Sequence, residues 1–268
     1  MSTLRVWVEG IGLWSPSLSD FAALTKVPGG STPTPPPARP AAGMLSPNER
    51  RRAPESVLLA VEVAGQAVAM SGRKATDLAC VFASAHGDQP ITDYMCATLA
   101  QVPAELSPMR FHNSVHNAAV GYWTMASGCH APSTALAAQH ASFGAGLLEA
   151  ASQVLADQRA VLLVCGDTAG SGPLGEVTRC EQSFAAALVL APAAGPASLA
   201  TLDLQLLAAH ADAPLPEPLA GWRRGNPSAA GLALLALLSQ GSGRCRLAAS
   251  AALDLQIEVQ GIDRGRVR

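Results

Sequence analysis

Ala131-Pro-Ser-Thr-Ala-Leu-Ala-Ala-Gln-His-Ala-Ser-Phe-Gly144 is the stretch that decides the fold. Pro132 to Ala135 is predicted as a buried strand. The chain then turns tightly and runs as a helix from Ala137 to about Ala156. Phe143, Leu147, Ala150, Ala151 and Val154 share one face of it, and Gly144 and Gly146 permit close packing. A strand that turns sharply into a helix is the frame of a nucleophile elbow. The reactive side chain would stand at Leu136, which cannot attack, accept a proton or bind a metal. The stretch keeps the scaffold of a catalytic site without its chemistry.

Apolar runs on either side of the elbow predict further strands at Leu4–Leu13, Ala79–Ala85, Ala160–Cys165 and Phe184–Leu190, with Gly166-Asp167 as a turn. Ser46-Pro-Asn-Glu predicts a capped helix start, with Ser46 as cap, Pro47 in the first turn and Glu49 three residues on. Helices follow at Glu55–Met70, with the stripe Val57, Ala60, Val61, Val63 and Ala64, at Thr92–Gln101, and at Val115–Ala126, bounded by the polar run His112-Asn113-Ser114. Residues 27–43, rich in proline, predict an extended loop of polyproline character. After Pro192 come a strand at Leu202–Leu207, a loop at Pro214–Pro218, a capped apolar helix from Asn226 to Leu238, and one or two strands between Arg244 and Val259. Strands alternating with helices predict an α/β fold with a mainly parallel, helix-covered sheet.

The 268 residues are 49% hydrophobic and 14% charged, the composition of a compact globular chain. A net charge of −2 gives no electrostatic reason to expect nucleic acid. The longest apolar helix candidates carry polar residues, so no membrane span is expected. The N-terminus begins as a strand rather than a signal peptide. Six cysteines without a CxxC pair or zinc-ligand spacing point to a reduced, cytoplasmic setting and to no metal or cofactor.

Five segments then carry a resemblance: Val6-Trp-Val-Glu-Gly-Ile-Gly-Leu-Trp-Ser-Pro16, Asn117-Ala-Ala-Val-Gly121, Ser133-Thr-Ala-Leu136, Ala160–Asp167 and Phe184–Leu190. In this order they resemble the N-terminal half of a β-ketoacyl-acyl-carrier-protein synthase of the thiolase fold. Phe111-His-Asn-Ser-Val-His-Asn117 and the short C-terminus are most similar to chain-length-factor-like proteins of aryl polyene and xanthomonadin-type pigment synthesis. The resemblance implies a complete N-terminal thiolase half over 1–192 and a shortened C-terminal segment, 193–268, packed on the same domain. Family enzymes use a cysteine, two histidines and a lysine. Here Leu136 stands at the cysteine, no lysine follows Lys74, and His210, the one histidine after His140, has no His-Gly-Thr around it.

The resemblance therefore implies a non-catalytic subunit that forms a heterodimer with an active ketosynthase and shapes its acyl tunnel. Family members dimerise through the strand before the elbow. That places the interface at Val115, Asn117, Trp123, Ser133, Thr134 and Ala135, and tunnel contacts at Tyr94, Met95 and Leu99. Arg50, Arg51 and Arg52, with Arg73 and Lys74 further on, form a basic patch able to receive an acidic acyl carrier protein, or a solvated helix surface. Two other readings stay open: an independent acyltransferase using Cys129 or a histidine, and a carrier-docking module. His112 and His116, spaced i, i+4, lack a third metal ligand. His140, His86-Gly-Asp88 and Ser133, which is outside a Gly-x-Ser-x-Gly motif, are expected to be structural.

Overall fold

The computed structural model describes residues 3–27, 39–210 and 214–262. The loop expected over 27–43 falls mostly outside them. Eight described strands form one sheet. β1 (Leu4–Trp14), β2 (Ala79–Ala83), β3 (Ser133–Leu136), β4 (Val161–Asp167), β5 (Phe184–Ala191), β6 (Ala200–Ala208), β7 (Ser242–Ala248) and β8 (Leu253–Gly261) lie in the order β3-β2-β4-β5-β1-β6-β8-β7.

The sheet is mixed, which corrects the expectation of a mainly parallel one. Only β2–β3 and β2–β4 are parallel pairings; β4–β5, β5–β1, β1–β6, β6–β8 and β8–β7 are antiparallel. The misleading signal was apolarity. β5 is buried along its whole length, and burial on two faces produces an unbroken apolar run whatever the strand direction.

The two faces can be read residue by residue. Val161, Leu163 and Cys165 of β4 point into one core with Phe184, Ala186 and Leu188 of β5. Leu162, Val164, Ala185 and Ala187 point into the other. That is the two-residue period of a pleated strand. α7 (Ser142–Asp157) and α10 (Leu232–Gln240) cover the first face; α3 (Glu55–Ser71) and α6 (Ala118–Ser127) cover the second. Toward β6 and β8 one face opens to solvent. Leu202, Leu204, Ile257 and Val259 are buried, and Thr201, Asp203 and Gln256 between them are not.

α2 (Pro47–Arg52) begins with the capping box read from the sequence: Glu49 N–H donates to Ser46, and the Glu49 carboxylate accepts from Ser46 N–H. Two predicted helices change. Pro108–Asn113 forms its own helix, α5, so α6 starts at Ala118 rather than Val115. α7 starts at Ser142, five residues later than expected.

The Gly-x-Gly of β1 has a packing cause. A Cβ on Gly10 or Gly12 would overlap the carbonyl oxygens of Ala67 or Val63, so α3 lies directly on the β1 backbone. Gly12→Ala must push that helix away. We expect it to cost roughly 1–3 kcal/mol, measured by urea unfolding.

Candidate functional site

The elbow is wider than a nucleophile turn. Leu136 is the last residue of β3, opposite Ala83 of β2, and its side chain packs half-buried against the first core. The sharp bend comes later. Gln139 has φ 51, a left-handed backbone unusual outside glycine and asparagine. Gln139–Ala141 forms a single 3-10 turn before α7. Buried Ser142 clasps the bend: its hydroxyl accepts from Ala138 N–H at 3.0 Å and donates to the Gln139 carbonyl at 2.7 Å. His140 lies exposed on this turn, ahead of the elbow helix rather than in its first turn.

Beside the elbow, the C-terminal ends of β2 and β4 carry a buried polar network centred on Asp167. Asp167 Oδ1 accepts from Ser84 Oγ (2.7 Å), Ala85 N–H (2.8 Å) and His86 N–H (2.9 Å). Oδ2 accepts from Ser228 Oγ at 2.5 Å, and the Asp167 carbonyl accepts from Asn226 Nδ2 at 2.9 Å. Burial pushes this carboxyl above its ordinary value, against the opposing pull of Ser228, Ser84 and His86. Gly166-Asp167 therefore belongs to β4 and is not a turn. An aspartate closing a fully apolar run was the available signal of a buried acid. Asp88 caps two helices at once, accepting from Ile91 N–H of α4 (Gln89–Gln101) and from Ser56 N–H of α3. These groups satisfy one another. They hold loops in place and aim no base at a nucleophile.

Apart from exposed Cys96, the thiols are equally inert. Burial pushes Cys80, Cys180 and Cys245 up to about 12 and holds Cys165 well above its ordinary value, so each stays protonated. Cys129 is buried and donates to the Leu78 carbonyl at 3.3 Å. Cys80 reaches the same oxygen at 3.5 Å. The residue facing it across the ladder is Pro132, which has no N–H to give, and the thiols take that place. His112 sits in the last turn of α5 while His116 lies beyond it, so their spacing does not put them on one helix face. His116 Nε2 sits 3.1 Å from the Ser84 carbonyl. Among the described residues no three His, Cys, Asp or Glu side chains converge on a metal position.

The most open chemistry is apolar. β3 ends the sheet and pairs only with β2, leaving its outer edge without a strand among the described residues. Val115 (51% exposed), Phe111 (57%) and Met125 (67%) lie on the segments leading into it. Ser133 and Asn117 are exposed, and Thr134 is half-buried and accepts from Gln153 Nε2 at 3.0 Å. Ala135 is half-buried too. Trp123 does not belong on that face: it is 0% exposed and packs in the second core, supporting α6 from behind.

Tyr94 braces the link between α4 and α5. Its hydroxyl accepts from Ser107 N–H at 3.1 Å, and the Arg110 guanidinium stacks 3.9 Å from its ring. Met95 is half-buried and Leu99 exposed. In the basic run, Arg50 donates to the Ala41 carbonyl, Arg51 to Asn48, and exposed Arg52 lines a cavity of about 420 Å³ with Arg110. Arg73 is ion-paired to buried Glu9.

The family model for the β-ketoacyl synthase N-terminal domain matches residues 26–252. The chain belongs to the β-ketoacyl synthase family. The match continues well past Pro192, into β7 and the turn toward β8. A chain in the complex of ketosynthase ApeO with its chain length factor ApeC, from Xenorhabdus doucetiae, is 22% identical with a TM-score of 0.73, covering 95% of this chain and 99% of that one. A chain in AntDE:AntF, a type II polyketide synthase acyl-carrier protein in complex with its ketosynthase, matches at 12% identity and 0.73, covering 97% and 100%. A β-ketoacyl synthase from Burkholderia phymatum matches at 14% and 0.57, over 88% and 70%. These likenesses establish a ketosynthase-like thiolase fold. No curated protein sequence matches the chain. No described helix is long and apolar enough to cross a membrane.

Proposed function

We propose that this chain is a non-catalytic, chain-length-factor-like partner of an active β-ketoacyl-acyl-carrier-protein synthase, working in the cytoplasm in aryl polyene-type synthesis. The observation that carries this reading is the open edge of β3, together with Phe111, Val115 and Met125 exposed on the segments that precede it in the chain. An unpaired strand edge and exposed apolar side chains both favour cover by another chain. The ketosynthase supplies the thiolate and its histidines. This chain extends the sheet and brings the α4–α5 region, with Met95 and Leu99, to the partner's acyl tunnel. The solved ApeO–ApeC complex is a precedent for such a pair on this fold. An independent acyltransferase acting through Cys129 finds no support, because that thiol is buried and hydrogen-bonded to backbone.

Co-expression with a ketosynthase encoded nearby is expected to give one co-eluting species in size-exclusion chromatography, and this chain alone to self-associate. Separate elution of the two chains rejects the reading. Leu136→Cys is expected to yield no condensing activity in the isolated chain, since no lysine follows Lys74 and no His-Gly-Thr surrounds His210, the one histidine after His140. Acyl transfer to the new cysteine, followed by mass spectrometry of the intact chain, checks this directly.

A further inference from the structure

The cavity of about 420 Å³ between the α2–α3 junction and the α4–α5 link is built from more than surface arginines. Its size falls in the range of about 300–1,000 Å³ typical of small-molecule sites. Asn113, the last residue of α5, lines it and is 4% exposed. Its Oδ1 accepts from the Tyr122 hydroxyl at 3.2 Å, and its Nδ2 has no acceptor among the described residues. A buried amide left half-satisfied calls for a partner. Arg52, in the last turn of α2, and Arg110 of α5 border the same space. Arg110 lies with its guanidinium over the Tyr94 ring, a contact that leaves the N–H groups without an acceptor. Arg52 makes no hydrogen bond or ion pair among the described residues.

Two carboxylates border the cavity as well, and both are engaged. Asp88 accepts from Ile91 N–H on one oxygen and from Ser56 N–H on the other, at 2.9 and 3.2 Å. Glu55 accepts from the Ser183 hydroxyl at 2.5 Å. They offset part of the arginine charge, so a ligand with one negative charge suits the space better than one with two. Met109 and buried Ile91 give it an apolar wall. The frame is fixed behind them. Buried Gln89, at the start of α4, donates to the Thr168 carbonyl at 3.2 Å and accepts at 2.7 Å from Thr178, which ends α8 (Gly172–Thr178).

We propose that this cavity binds a small organic monocarboxylate, its oxygens held by Asn113 Nδ2 and the two guanidiniums and its apolar body against Met109 and Ile91. Guanidinium forks match carboxylate oxygens in bidentate geometry. Asn113 adds the one donor that is already desolvated, where a hydrogen bond to a charged group counts most. This site does not rest on the ketosynthase-partner reading.

Isothermal titration of the full chain at low salt with cyclohexanecarboxylate, cyclohexanecarboxamide and acetate tests the site. Cyclohexanecarboxylate is expected to bind at least tenfold tighter than either of the others. Arg52→Gln is expected to remove that advantage without moving the melting temperature, because the side chain it replaces is exposed and unbonded. Asn113→Asp keeps an acceptor for the Tyr122 hydroxyl but turns the buried donor into an acid, and is expected to abolish binding. Equal affinity for the acid and its amide, or an advantage that survives both substitutions, overturns the proposal. Acetate binding as tightly as cyclohexanecarboxylate overturns the role of the apolar wall. An acidic carrier protein that binds through Arg52 while none of the three small molecules binds overturns the carboxylate site and makes the arginines a docking surface.

Discussion

Ala135→Pro is expected to abolish association with the catalytic ketosynthase while moving this chain's own melting temperature by no more than about 4 °C. The argument rests on which way each peptide group of β3 points. Cys80 N–H donates to the Pro132 carbonyl, and Ser84 N–H to the Leu136 carbonyl. In a parallel ladder the residues that face the neighbour alternate. Residues 132, 134 and 136 therefore turn their amide groups toward β2, and Ser133 and Ala135 turn theirs outward. Proline at 135 removes an N–H that no described strand uses. On an edge strand that is tolerated within the chain. For a partner strand the same change deletes a ladder bond and puts a pyrrolidine ring in the seam. We expect at least a 100-fold loss of affinity, about 2.7 kcal/mol, seen as two peaks in size-exclusion chromatography. Thr134→Pro is the matched control, since it breaks an inward bond to β2 and should lower the melting temperature itself. Undiminished co-elution of the Ala135→Pro variant would remove β3 from the interface.

The sequence made some of this legible and hid the rest for physical reasons. Local rules were readable. The capping box at Ser46 and Glu49 forms as its spacing requires. Strand direction was not readable, because β4 and β5 are equally apolar and run opposite ways. A finer signal existed in Thr201-Leu-Asp-Leu-Gln-Leu206 and Asp254-Leu-Gln-Ile-Glu-Val259. Their strict alternation marks antiparallel strands with one wet face. At the site, the strand was read to end at Ala135 with the turn at Leu136, whereas β3 includes Leu136 and the bend comes three residues later. The left-handed bend at Gln139 was invisible, since no glycine announces it. Trp123 was misplaced because an aromatic next to an interface segment reads the same whether it faces the partner or the core. One cavity is lined by Arg179 and by Arg223 and Arg224 from segments far apart in the chain, and only the fold brings them together.

Asp167→Ala is expected to be the most damaging single change to stability, at about 3–5 kcal/mol. It strips the acceptor from Ala85 N–H, His86 N–H, Ser84 Oγ and Ser228 Oγ together. The two backbone donors are left in a cavity with no replacement, each at about 1–3 kcal/mol. The loss also reaches the C-terminal segment, because Ser228 lies in the 3-10 turn that leads into α10. Asp167→Asn separates charge from hydrogen bonding. Its Oδ1 keeps the two N–H donors, and the Ser228 hydroxyl rotates from donor to acceptor for the new amide, so the cost should be well below that of alanine. The pH profiles differ in a determined direction. Burial raises the Asp167 pKa in the folded chain above its unfolded value. The native state then holds this proton more tightly than the unfolded state. Its contribution to stability is full below the unfolded carboxylate pKa and is lost as pH rises through the raised folded value. Urea unfolding across the mildly acidic range should show wild-type stability falling with rising pH by more than that of Asp167→Asn. Parallel profiles for the two proteins would mean that Asp167 is ionised in the fold without penalty.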